Sequence, residues 1–253
     1  MPTSRAFCRI FSLLCCLAGS AFAADPAGTD RGAFDKYLGK GVVGESITAP
    51  AIDDPGAYYA LKPATLVYRI LNDGEPQSQP TTETIAKLAQ PENDSTWKRE
   101  MGPLGANYVA VDPDGSLRRM THFDPHEKVV SHFTPGEFIL SANMKAGDKR
   151  TAEIAVNVTP TNKPKDITYH GKLAATLTYV GAFKVTTPAG TFDAVLMKET
   201  YKGSVGPAEI DIENFMFYAK GVGEVASIQE KQVSAVIVYN TDTKTGKLLA
   251  KRP

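Results

Sequence analysis

The chain has 253 residues, 42% of them hydrophobic, and its 28 lysines and arginines balance its 28 aspartates and glutamates. No basic excess exists to draw it onto nucleic acid or an anionic membrane, and no apolar run reaches the length of a spanning helix. The length suits one large β domain or two small ones, with ample apolar side chains for a core.

Residues 1–23, MPTSRAFCRIFSLLCCLAGSAFA, read as an export signal. Arg5 and Arg9 give a positive start, Ile10 to Ala18 an apolar run, and Ala21-Phe22-Ala23 a small-x-small cleavage site before Ala24. Cys15 and Cys16 follow leucines, but Leu14 and Cys15 fit poorly as the small residue that precedes a lipid-modified cysteine. The expected address is therefore periplasmic or secreted, after cleavage near Ala23. That cut removes all three cysteines, so burial alone must stabilise the mature chain. It also removes two of the 28 basic residues and no acidic one, so 26 face 28 acidic residues, a net charge of −2.

Residues 24–63 read as an irregular, partly helical N-terminal extension, and 64–253 as an antiparallel β domain. In the extension, Asp30 to Leu38 predicts a short helix with Asp30 as N-cap and Gly39 and Gly41 ending it. Glu45 to Gly56 is expected to be extended and loop-like, because Pro50 and Pro55 deny it regular hydrogen bonding. Ala64 to Leu71 is a β-branched and aromatic strand closed by Asn72-Asp73-Gly74, and Asn72 to Pro80 reads as a polar linker. Asp112-Pro-Asp-Gly115 is the best hairpin signal, between strands at 107–111 and 116–123. Lys128 to Phe133 returns, and further strands are expected at 151–158, 172–180, 182–187, 191–202, 208–218, 222–230 and 232–240. Lys244-Thr245-Gly246 reads as a turn. Ala175, Leu177 and Tyr179 share one face, and the acids of Glu209-Ile-Asp-Ile-Glu213 lie opposite its isoleucines. One wet and one buried face mark antiparallel sheet. The expected fold is mainly β, an antiparallel sandwich or partly open barrel with a short helical N-terminal extension. An outer-membrane barrel needs a continuous lipid-facing apolar band, which this pattern lacks.

Three groups of residues offer chemistry. Ser95-x-x-Lys98, Ser141-x-Asn143 and Lys244-Thr245-Gly246 match the elements of serine β-lactamases. Pro91 and Gly102-Pro103 leave no room for the helix that chemistry needs, and only seven residues follow Gly246. His122, His126 and His132, with Asp124 and Glu127, offer imidazole and carboxylate ligands to a metal, or a hydrolase site, on one hairpin. That hairpin would set His122 beside Ser131 or His132. Glu199, Tyr201, Glu209, Asp211, Glu213 and Tyr218 form an acidic-aromatic group, which reads first as the solvated face of a strand.

Phe183-Lys-Val-Thr-Thr-Pro-Ala-Gly-Thr-Phe192 and Phe217-Tyr-Ala-Lys-Gly-Val-Gly-Glu-Val225, with a looser Tyr58-Tyr-Ala-Leu-Lys-Pro63, are similar to segments of exported bacterial β-rich proteins of unassigned function. The resemblance implies export and a β fold and carries over no catalytic residue. Physically, Pro188-Ala-Gly190 reads as a tight turn, and Gly221 and Gly223 as a bulge or a close backbone approach.

These readings point to a non-catalytic module that binds a lipid, another hydrophobic small molecule or an envelope protein in the concave face of a curved sheet. No cofactor is implied. Tyr58, Tyr59, Tyr179, Phe183, Phe215 and Phe217 are the expected lining.

Overall fold

Alternation builds the wall of this protein. Along residues 169–187, Leu173, Ala175, Leu177 and Tyr179 are buried, while Lys172 and Ala174 are exposed. The computed structural model describes residues 30–235 and 239–252; the export signal, its cleavage site and the three cysteines lie outside them. The chain runs through α1 (Arg31–Tyr37), β1 (Val43–Ile47), α2 (Pro55–Tyr59), β2 (Ala64–Asn72), β3 (Glu75–Pro76), β4 (Thr81–Glu92) and β5 (Ser95–Glu100). After a single 3₁₀ turn follow β6 (Ala106–Val111), β7 (Leu117–Asp124), β8 (Val129–Leu140), β9 (Lys149–Pro160) and β10 (Tyr169–Thr187). The last four strands are β11 (Gly190–Val205), β12 (Ala208–Ala219), β13 (Gly223–Ala235) and β14 (Tyr239–Lys251).

From β4 to β14 each strand pairs antiparallel with the next; β2 pairs with β4, and β14 returns to β2. The result is a closed antiparallel barrel of twelve strands, with β1 added beside β10 and β3 beside β2. Of the two architectures expected, the barrel is the one formed, and it closes fully. Lys244-Thr245-Gly246 is not a turn: it lies inside β14, where Gly246 pairs with Leu71 and Thr245 with Asn72. Those residues supply the last partner the sheet needs. The runs at 172–180 and 182–187 form one strand, with a register shift between Tyr179 and Gly181. Around Pro50 and Pro55, regular pairing stops at Ile47 and resumes only as the one-turn α2.

The outer face is polar. Lys172 pairs with Glu153 at 2.7 Å and Lys202 with Asp211 at 2.9 Å, all four side chains at least half exposed. Ile210 and Ile212 turn inward against Phe133, Val156 and Tyr201, as their alternation with the acids requires. Charged ladders of this kind face water, the opposite of a lipid-facing band.

One stretch of the outer face is apolar, and α1 covers it. Phe34 meets Phe215 and Phe217 edge-on at 5.3 and 5.4 Å. Asp30 occupies the N-cap without making a side-chain cap bond; its carboxylate lies 3.7 Å from Lys198 Nζ. The fit is close enough that a Cβ on Gly246 would stand 2.2 Å from the carbonyl oxygen of Tyr37, whereas one on Gly32 would meet nothing within 4 Å. Gly246→Ala is therefore expected to cost about 2 kcal/mol, and Gly32→Ala to be neutral or stabilising by about 0.5 kcal/mol. Denaturant unfolding of the two variants checks this, and equal midpoints would remove the close contact from the account.

Candidate functional site

The two ends of the barrel differ. At one end lie the turns at 112–116, 141–148, 188–189 and 220–222, and the segment from 48 to 61 crosses into this mouth as a plug. Its shape follows from local chemistry. Asp54 accepts a hydrogen bond from Ala57 N at 3.0 Å, Pro55 opens the helix, and Ala60 ends it in the left-handed region at φ 56. The plug is tied to the wall through main chain. Ile52 N donates to Met144 O at 2.9 Å and Asn143 N to Ile52 O at 2.7 Å. Gly221 N donates to Ala57 O at 2.8 Å, and Tyr179 Oη to Pro50 O at 2.7 Å. A Cβ on Gly223 would sit 3.4 Å from Tyr59 O, an ordinary contact; its φ of 104 is what favours glycine there.

Beside the plug is a cleft of about 450 Å³. Ile47, Pro50, Ala51 and Tyr58 form one wall and Ala182, Ala194 and Val195 the other; Asp53, Lys220 and Asp193 line it as well. Lys220 Nζ reaches both carboxylate oxygens of Asp53, at 2.9 and 3.1 Å, and its hydrogen bond holds that carboxyl below the usual range. The same ammonium lies 5.7 Å from the centre of the Tyr58 ring.

The six aromatic residues chosen from the sequence separate into two groups. Tyr58, Tyr59 and Tyr179 belong to the cluster under the plug, with Leu117, Leu140 and Met197. Phe183, Phe215 and Phe217 pack with Phe34 under α1. The wall lies between, because strand alternation sends neighbouring residues to opposite faces. Of the six, only Tyr58 lines the cleft.

The histidines are not brought together. His122 pairs with Ser131 across β7 and β8, as the hairpin predicts, while the adjacent His132 pairs with Thr121 on the opposite face. His126 is exposed on the intervening turn, 3.0 Å from Glu127. Among the described residues no three His, Cys, Asp or Glu side chains are placed to hold a metal ion. Ser95 is buried in β5, Lys98 bonds Glu100, and Lys244 lies over Tyr37, so the lactamase-like triplet is scattered.

What sequence reading missed is inside the barrel. Arg99 donates to Glu83 at 2.7 Å and meets Glu224 at 3.0 Å; Lys247 reaches the same two carboxylates at 2.8 and 2.9 Å. Two cations and two anions balance, and Arg99 also lies 5.3 Å from the Tyr59 ring, beneath the plug. Further down, Arg119 bonds Glu137, while Tyr201 and Asn214 donate to Glu199 at 3.1 and 3.3 Å. Burial pushes the Glu199 carboxyl up to about 7. Burial, with the charges of Arg119 and Lys231, holds the His122 imidazole down to about 4. The only signal in the sequence is a charged residue at an inward-phased strand position, and in a strand that phase is read with confidence only when its neighbours are apolar.

Fold and mouth together define a class: a closed, water-facing antiparallel barrel with an internal plug and a filled lumen. No protein-family model matches the chain, and no curated protein matches it either. Among solved structures it is similar to a protein of Parabacteroides distasonis described provisionally as a lipoprotein, at 13% identity and a TM-score of 0.42, covering 83% of this chain and 100% of that one. It is similar to a provisionally exported protein of Bacteroides fragilis with a YmcC-like fold, at 14% identity, TM-score 0.42 and the same coverage. A third is the hypothetical lipoprotein YmcC of Escherichia coli, at 10% identity and TM-score 0.40, covering 75% of this chain and 87% of that one.

Glu199 and His122 act on stability in opposite directions. Between pH 4.5 and about 7 the folded protein keeps a proton on Glu199 that the unfolded chain has released, so rising pH favours unfolding. Between about 4 and 6.5 the unfolded chain binds a proton that folded His122 refuses, so rising pH favours folding. Glu199→Gln removes the first limb alone. Its stability relative to the parent is expected to rise by up to about 3 kcal/mol from pH 4.5 to 7, measured by urea unfolding at several pH values. A pH-independent difference would contradict this.

Proposed function

We propose that this is an exported, non-catalytic binding protein, periplasmic or secreted, that takes the apolar part of a small amphiphile or lipid into the cleft beside the plug. The cleft itself carries the reading. Its volume of about 450 Å³ lies within the roughly 300–1,000 Å³ of small-molecule sites, its walls are apolar, and one ion pair stands at its lip. An acyl chain laid against those walls gains about 25 cal/mol for each Å² taken from water. A charged headgroup would compete with Asp53 for the Lys220 ammonium.

Binding is favoured over catalysis by the state of the titratable groups. Among the described residues the one histidine hydrogen-bonded to a carboxylate is His126, on an exposed turn, and the strongly shifted acid Glu199 is enclosed. Tyr58 and the Gly221–Gly223 turn, which carry the resemblance to exported proteins, stand at the same mouth.

Ala51 is exposed on the cleft wall, so Ala51→Asp places a charge there without opening a cavity. This variant is expected to bind a fluorescent fatty acid about tenfold more weakly than the parent, with unchanged thermal stability. Lys220→Glu should weaken the fatty acid more than the matching fatty alcohol. Native mass spectrometry of protein from its own host, before and after organic extraction, should show loss of a lipid mass. A bare mass, with equal probe affinity in parent and Ala51→Asp, sinks the reading.

A further inference from the structure

The two walls of the cleft each carry an ion pair. Lys220, in the turn after β12, holds Asp53 of the plug through both carboxylate oxygens. On the barrel wall, Lys184 Nζ lies 2.9 Å from Asp193 Oδ1. Lys184 and Asp193 are register partners across β10 and β11, two residues along from the partners Ala182 and Val195. Residues two apart on a strand share a face, so this second pair stands on the same face as the cleft wall. Asp53, Asp193 and Lys220 all line the one cavity. Ion pairs of the outer face, such as Lys172 with Glu153 and Lys202 with Asp211, take no part in it.

The other lining side chains are apolar apart from the Tyr58 hydroxyl, so these charges decide which headgroup fits. All four charged side chains are between 45% and 66% exposed, and ion pairs of that kind are weak and exchange partners readily. Asp53 engages two directions of the Lys220 ammonium and leaves it a third N–H. Asp193 Oδ2 accepts from nothing among the described residues. Two acids and two bases leave the lip neutral, and that neutrality selects. A fatty acid that takes Lys220 leaves Asp53 without a partner, and an alkylamine that takes Asp193 draws it from Lys184. A headgroup bearing both charges leaves none unpaired. Its anion takes Lys220, and its ammonium takes the Asp53 that Lys220 releases, with Asp193 Oδ2 as a second acceptor on the same cavity.

We propose that the ligand of the cleft is a zwitterionic amphiphile, its anionic group at Lys220 and a primary ammonium beyond it at Asp53 and Asp193. The inference rests on the reading of the cleft as an amphiphile site and adds the class of headgroup. The Tyr58 ring, whose centre is 5.7 Å from Lys220 Nζ, offers its face to a cation in the same place.

Calorimetric titration of the full-length mature protein at pH 7 with dodecylphosphoethanolamine, dodecanoate, dodecylamine and dodecanol, all below their micelle concentrations, tests the proposal. The zwitterion should bind about fivefold more tightly than any of the other three. Each affinity is read relative to that of dodecanol, so a variant that merely loosens the cleft does not move the ratio. Asp193→Asn makes the lip net positive and should shift the ratios toward dodecanoate. Lys220→Gln makes it net negative and should shift them toward dodecylamine, and both should remove the advantage of the zwitterion. Lys202→Gln, on the outer face, should leave every ratio unchanged. A zwitterion bound no more tightly than dodecanoate overturns the headgroup assignment. So do ratios that Asp193→Asn and Lys220→Gln leave in place, or that Lys202→Gln moves equally; dodecanol binding then still upholds the cleft. Failure of all four probes to bind overturns both.

Discussion

A single seam makes this molecule a barrel. Every pairing around the ring except one joins strands close in sequence, and the exception is β14 with β2, across residues 67–72 and 245–251. The four-charge network of Glu83, Arg99, Glu224 and Lys247 spans the strands on either side of that seam, with Tyr68 of β2 donating to Glu224 O at 2.8 Å. Each ion alone would be costly to bury; as a balanced set each charge meets two opposite ones at hydrogen-bond distance. Such a network tolerates only the register that completes it, so it specifies closure as much as it stabilises it.

The plug depends on that closure. Tyr59 of α2 rests between Arg99 and Tyr218, and both positions exist only once β5 and β12 stand on one rim. Main-chain bonds to Met144 and Gly221 then hold the plug without any disulfide. The cleft is a consequence: the chain must travel from β1, in the sheet beside β10, to α2, inside the mouth, and the crossing at Pro50 and Ala51 leaves space over Ala182 and Val195.

Barrels of about eight strands are just wide enough for side chains to fill; this ring of twelve is filled by side chains together with the plug. One apolar cluster lies below the plug and a second around Phe133, Ile154, Val156 and Leu173 toward the far end, with buried charged groups between and beside them. One end offers apolar surface with a charged lip, and the other sets an apolar cluster around Phe133, Val156 and Leu173 beside charged groups.

The sequence by itself determined the strand content, the antiparallel character, the β6–β7 hairpin, the helix at 31–37 and the inward phase of Ala175, Leu177 and Tyr179. Each is a local property, set by alternation, turn residues or caps, and so is legible from neighbouring residues. Of the six aromatic residues singled out in the sequence, Tyr58 is the one that lines the cleft. Only the tertiary structure decided that the sheet closes, that Lys244 to Gly246 belongs to a strand, and that Phe183, Phe215 and Phe217 serve α1 instead of a ligand. It alone brought Asp53 to Lys220, residues 167 positions apart, and Glu83 to Lys247, 164 positions apart. Those pairings follow from register around a closed ring, a condition that involves every strand at once and that no local window of sequence contains.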